Sequence, residues 1–133
     1  MSKEYQEFLK NNKVLKHSVN GISRFLILWF IKYNESLHGY AIIQELDKFF
    51  SNLISEGTLK KHNASKIYPI LKDMEESGLI VGEWKQLQNQ KVKFYSITDK
   101  GKFIVQYFFD NLINLETNPH MKIVYEDLSQ NKD

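Results

Sequence analysis

Apolar positions along the chain change their period once, and the change divides the chain. Residues 22–33 (ISRFLILWFIKY) are apolar nearly all round, the pattern of a helix buried at the centre of a fold. Asn34-Glu35-Ser36 interrupts it. From His38 to about Phe50 a second helix is predicted, with Ile42, Ile43, Leu46, Phe49 and Phe50 as its stripe and Ser36 as its expected N-cap. Residues 51–63 carry turn chemistry and two adjacent lysines. A third helix follows over 64–77, where Ile67, Ile70, Leu71 and Met74 share one face and Gly78 closes the end. Beyond it the period falls from 3.6 to 2. Residues 79–87 and 91–97 approach alternation around Gln88-Asn89-Gln90, which predicts a hairpin. Thr98 caps a last helix that runs to about Asn118-Pro119, and residues 4–16 suit a short polar helix.

Three helices, a hairpin and a long helix describe a mainly α chain with a small β-hairpin wing (α+β), the plan of a winged helix-turn-helix flanked by N- and C-terminal dimerisation helices. The expected boundaries are an arm at 1–20, the winged helix-turn-helix at 21–98, the C-terminal dimerisation helix at 99–118 and an acidic tail at 119–133 whose order the pattern leaves open.

Pro69 sits inside the third helix, where an interior proline costs about 3 kcal/mol unless it lies near the first turn. Around the helix, Ser65, Pro69 and Lys72 point away from the apolar face, with Lys66 and Tyr68 on its flanks. Helix-turn-helix proteins read bases with the N-terminal residues of this helix, so a hydroxyl, a phenol and cations there suit phosphate and base-edge contacts. On the hairpin, Lys91 and Lys93 share one face and Lys85 lies on the partner strand. Each feature alone has a plainer reading: a solvated lysine face, a packing tyrosine, a local kink. Their convergence on the third helix and the ribbon points to DNA.

Charge changes the picture only through its distribution. Up to Val105 there are 16 basic and 11 acidic side chains, net +5; after it there are two and five, net −3. A basic body and an acidic tail fit a polyanion partner. The last helix carries Phe103, Tyr107, Phe108, Leu112 and Leu115 on more than one face, more apolar surface than one packing side uses. With Tyr5 and Phe8 of the arm, these are the expected dimerisation residues, and a twofold dimer would set recognition helices about 34 Å apart on a palindromic operator.

By these residues the chain resembles the PadR-type transcriptional regulators. Leu37-His38-Gly39-Tyr40 is similar to that family's "LHGY". Lys66-Ile67-Tyr68-Pro69-Ile70-Leu71, continuing through Met74-Glu75-Glu76-Ser77-Gly78-Leu79-Ile80, is similar to its recognition segment. Phe94-Tyr95-Ser96-Ile97-Thr98-Asp99-Lys100-Gly101 is similar to its passage from wing to last helix. The resemblance covers roughly residues 22–105, with Met74 in place of a common leucine and a longer 51–63 segment. It implies a homodimeric winged-helix repressor, with Lys66, Tyr68 and Pro69 at double-stranded operator DNA and Lys91 and Lys93 as basic positions of the wing. It also implies that a small effector can act on such a protein. A small aromatic ligand against Trp29 and Tyr107 at the dimer seam is the candidate.

Other chemistries lack their residues. The chain has no cysteine, and its four histidines stand far apart without ligand-spaced companions, so no metal or cofactor site is expected. No phosphate loop or nucleophile elbow is present, and no enzyme activity is expected. His38 beside Gly39 is expected to order a helix start. No signal stretch opens the chain, and its greasiest run, Phe25–Ile31, is far shorter than the ~20 residues of a membrane span, so a cytoplasmic protein is expected. The competing reading is a winged helix used as a protein–protein interaction module without DNA binding.

Overall fold

The computed structural model describes residues 1–130. The elements in chain order are α1 (Lys3–Lys10), α2 (Lys13–Tyr33), β1 (Leu37–His38), α3 (Gly39–Phe49), α4 (Ser51–Ser55), α5 (Ala64–Glu76), β2 (Ile80–Leu87), β3 (Gln90–Ile97), α6 (Asp99–Phe108), a π-helical turn (Phe109–Ile113) and α7 (Pro119–Gln130). The three-helix-plus-ribbon plan is therefore present, as α2, α3 and α5 with β2 and β3.

Several boundaries differ from expectation for identifiable reasons. The polar helix expected over 4–16 divides at Asn11-Asn12, because the Asn12 side chain accepts from Leu15 N at 3.0 Å and caps the 21-residue α2. Ser36 is not the cap of the next helix. Leu37 and His38 pair with Tyr95 and Phe94 as a short strand, and His38 Nδ1 then accepts from Ala41 N at 3.1 Å. An imidazole thus caps α3, which gives His38 the ordering role expected of it.

The core forms where the three body helices meet the sheet. Ile27 and Ile31 of α2, Ile42 and Leu46 of α3, Ile67 and Leu71 of α5, and Ile80 of β2 are shut off from solvent. Each contributes roughly 1.5–3 kcal/mol by leaving water. The antiparallel sheet has the order β1-β3-β2, and Leu37, Gly82 and Tyr95 lie side by side across it. The hairpin closes through Gln88-Asn89, with Leu87 opposite Gln90 and Gln88 at φ +54°.

Beyond the body, Thr98 caps α6 by accepting from Gly101 N at 3.1 Å, and its hydroxyl donates back to Gly78 O at 2.6 Å. A side chain at 101 would collide with Leu79 O, so this glycine permits the close seat of α6 on the wing base. The chain then turns at residues 115–117. Pro119 does not end the ordered chain. It stands first in α7, with Asn118 Oδ1 accepting from Met121 N at 3.2 Å, the usual arrangement of cap and N1 proline. The acidic tail is helical through Gln130, and residues 131–133 lie outside the described residues.

Candidate nucleic-acid interface

Helix α5 starts where Asn63 accepts from Lys66 N at 3.0 Å. Ile67, Ile70, Leu71 and Met74 are buried, so the opposite face must point outward, and Ser65, Lys66, Tyr68, Pro69 and Lys72 are all exposed. Pro69 is the sixth residue of this helix, just past the first turn. It has no amide to give the Ser65 carbonyl, which is left as an acceptor on the presented surface. The proline therefore frees a backbone oxygen where water or a ligand can meet it.

Tyr68 is 42% exposed and lies across Gly39. A Cβ on Gly39 would stand 2.5 Å from its hydroxyl oxygen, which explains why glycine follows the His38 cap. The tyrosine is thus both a packing residue and a presented one, aimed by the backbone of another helix.

The ribbon separates the wing lysines. Direct partners in an antiparallel pair share a face, so Lys93 opposite Trp84 and Lys91 opposite Gln86 lie on one side, while Lys85 opposite Val92 lies on the other. Lys91 is exposed without a carboxylate partner among the described residues. Lys85 is exposed with its ammonium 5.1 Å from the Phe94 ring. Lys93 is braced instead of free. Its ammonium is 2.8 Å from Glu75 Oε1 and lies over the rings of Trp84 and Tyr95, while Glu75 Oε2 accepts from Gly82 N at 3.1 Å. One carboxylate at the end of α5 thus holds both strands of the wing. A side chain at Gly82 would collide with the Lys93 stem. The Lys93 hydrogen bond, helped by the Gly82 amide, holds the Glu75 carboxyl below its ordinary range against the effect of burial; the same bond raises the Lys93 ammonium. Burial raises the Tyr95 phenol.

Between α5 and the wing runs an open groove of 1270 Å³, bordered by Tyr68, Lys72, Trp84, Lys91 and Lys93. Of the residues expected at DNA, the structure gathers Tyr68, Lys72, Lys91 and Lys93 here, and leaves Lys85 on the far side of the ribbon. Trp84, exposed on the groove side, was not singled out by the sequence pattern. The alternation of Gly82, Trp84 and Gln86 opposite Lys91 and Lys93 held the signal.

Of the residues expected at a dimer seam, Tyr5, Phe8, Phe103, Tyr107 and Leu112 are exposed and Leu115 is half-buried. Phe108 packs within the chain, its ring 4.7 Å from that of Phe25. The sequence reading omitted Ile123, Val124, Tyr125 and Leu128 of α7, all exposed. Trp29 stacks on Tyr33 of its own helix and Tyr107 lies against Phe103 of its own; neither lines the groove above or the cavity described further on. Among the described residues no group of His, Asp and Glu could hold a metal, and no helix is long and apolar enough to cross a membrane.

The sequence model of the transcriptional regulator PadR-like family matches residues 27–106. Among solved structures, a PadR family transcriptional regulator from Eggerthella lenta is similar with a TM-score of 0.61 at 19% identity, over 99% of this chain and 100% of that one. A Streptococcus transcriptional regulator is similar at 0.55 and 21%, over 90% and 93%. Bacillus subtilis PadR in complex with operator DNA is similar at 0.51 and 25%, over 66% of this chain and 46% of that one. No curated protein matches the chain.

Proposed function

Because the chain belongs to the transcriptional regulator PadR-like family, a family of DNA-binding regulators and not of enzymes, we propose that it is a homodimeric repressor of a palindromic operator. In this reading α5 enters the major groove, Ser65, Lys66, Tyr68 and Lys72 face bases and phosphates, and the wing lies along the backbone with Lys91 foremost. The observation that carries it is the division of α5: four apolar residues wholly or nearly buried, and Ser65, Lys66, Tyr68, Pro69 and Lys72 on the open side. Lys93 acts by holding the wing, and Lys85 meets DNA only where the duplex wraps past the ribbon.

Dimerisation rests on the terminal helices. No residue of α7 is buried and only Met121 is half-covered, yet a 12-residue helix is marginal alone in water. A second copy that covers Ile123, Val124, Tyr125 and Leu128, together with Phe103, Tyr107 and Leu112, would supply what it lacks. Repression follows from occupying the operator, in the cytoplasm where the promoter is.

The test is fluorescence anisotropy with the DNA upstream of the protein's own gene, at several salt concentrations. Binding as a dimer to an inverted repeat, with affinity falling steeply as salt rises, is expected. Equal affinity for scrambled DNA, or no affinity in low salt, would favour the interaction-module reading instead.

A further inference from the structure

On the side of α5 away from the wing lies a cavity of 610 Å³, between the N-terminal helices and the segment that leads into α5. That volume falls within the roughly 300–1,000 Å³ of small-molecule sites. Its apolar wall is aliphatic, made by Leu9, Leu15, Val19, Leu53 and Leu59, and no Phe, Tyr or Trp lines it. Its basic side is made by Lys10, Lys16, Lys60, Lys61 and Lys66, the last shared with the face of α5 proposed for DNA, and no Asp or Glu lines it. Only Lys10 among these has a carboxylate within ion-pair distance in the described residues, Glu7 at 3.5 Å.

Two buried polar atoms on lining residues are also unsatisfied. The His62 side chain is 1% exposed, and Asp47 Oδ1 engages its Nδ1 at 2.8 Å and its backbone amide at 2.9 Å. Its Nε2 has no partner, nor does Thr58 Oγ1. Buried polar groups are normally hydrogen-bonded, and two exceptions at one cavity call for an explanation.

We propose that this cavity binds an aliphatic carboxylate, an acyl chain of medium length with its chain on the leucines and its anionic head among the lysines. Lysines without acids select a negative head, because an unpaired cation gains most from an opposite charge. The leucine wall selects a chain in preference to a ring, since an aromatic body would find no ring to stack on. A phosphate ion would satisfy the cations and leave the apolar wall wet, and a neutral alcohol would do the reverse.

Binding is measured without DNA, so the proposal stands or falls separately from the operator reading. Decanoate, decanol and benzoate are titrated into the full-length protein by calorimetry, with melting temperature as a second readout. Decanoate is expected to bind saturably, one per chain, and to raise the melting temperature, with decanol and benzoate at least about tenfold weaker. Lys16→Glu combined with Lys60→Glu changes two exposed side chains, so folding is retained; it should weaken decanoate by at least about tenfold. Leu9→Trp, which narrows the chain-binding wall, should favour hexanoate over decanoate. Absence of saturable binding by decanoate, equal binding of decanol or benzoate, or an unchanged affinity after the double charge reversal would each overturn the assignment. A double reversal that weakens operator binding alone would show that these lysines serve the duplex.

Discussion

In the three-helix body, Ile27, Ile31, Ile42, Leu46, Ile67 and Leu71 are each wholly out of solvent. In α1 and α7 no residue is buried, although Tyr5, Phe8, Ile123, Val124, Tyr125 and Leu128 are just as apolar. Both regions are helical and carry apolar side chains, and only the body buries its own within the chain. The body closes on itself, with α2 as the shared wall of the core. The terminal helices leave most of their apolar side chains exposed, which is the surface the proposed dimer would cover.

The largest effect should separate the two regions by their dependence on protein concentration. Leu71→Ala removes a core side chain and should lower unfolding free energy by about 2–5 kcal/mol. The loss should be the same in dilute and concentrated protein. Leu128→Ala should leave the body intact and act on the proposed dimer. Twofold symmetry counts the change twice, so a loss of about 3 kcal/mol, roughly a hundredfold in dimer Kd, is expected. Denaturation at several concentrations and sedimentation velocity read the two variants. A Leu128→Ala protein that dissociates no more readily than the parent would place α7 outside the interface.

How far the body's closure extends to its outer face is tested by Gly39→Ala. The added methyl would meet the Tyr68 ring at 2.5–2.7 Å, and the tyrosine, as the free end of a side chain, can swing away. Stability should therefore fall by under about 1 kcal/mol while operator affinity falls about tenfold, because Tyr68 is no longer aimed. If stability and affinity fell together, or neither moved, the glycine would not be setting the tyrosine's direction.

The brace between α5 and the wing should matter somewhat less. Glu75 has its carboxyl below the ordinary value of 4.5 and Lys93 its ammonium above 10.5, each chiefly through their mutual hydrogen bond. For the depressed acid, the stabilisation is fully present above 4.5 and is lost as pH falls through the lower, folded-state value. For the raised base, it is fully present below 10.5 and is lost as pH climbs through the higher, folded-state value. The side chains are 32% and 27% exposed, so the pair is worth about 1 kcal/mol or less at neutral pH. Glu75→Gln should cost that much, remove the extra acid sensitivity of the wing, and speed amide exchange at Gly82. An acid-unfolding curve unchanged by the substitution would mean that the brace is ornamental.

What was legible in the chain follows the same division. The period change at Gly78, the buried stripe of α5 and the Thr98 cap depend on neighbours within a few residues, and all three stand where the pattern put them. Ser36 as a cap failed because the β1 pairing joins residues nearly sixty positions apart, which no local pattern carries. Lys93 looked like a wing cation because its partner, Glu75, lies on another element and reads locally as a solvated helix end. The order of residues 119–130 was not legible either, since Pro119 and the acids fit an ending as well as they fit the N1 position of a new helix capped by Asn118.

The smallest effect concerns an exposed position whose openness has the opposite cause. Lys91 at the outer end of the wing is uncovered like α7, yet it is a cation with no ion-pair partner among the described residues, so water is an adequate neighbour for it until a phosphate arrives. Lys91→Ala should leave the melting temperature unchanged and lower operator affinity by less than about 1 kcal/mol at moderate salt. Its signature lies in the salt dependence. Each neutralised phosphate contributes about −0.9 to the slope of log K against log salt, and a dimer carries the residue twice, so the slope should become shallower by about 1.8. Lys85→Ala on the far face of the ribbon should change the slope less. A Lys91→Ala slope equal to the parent's, with Lys85→Ala making the larger change, would mean that the duplex approaches the wing from its other side.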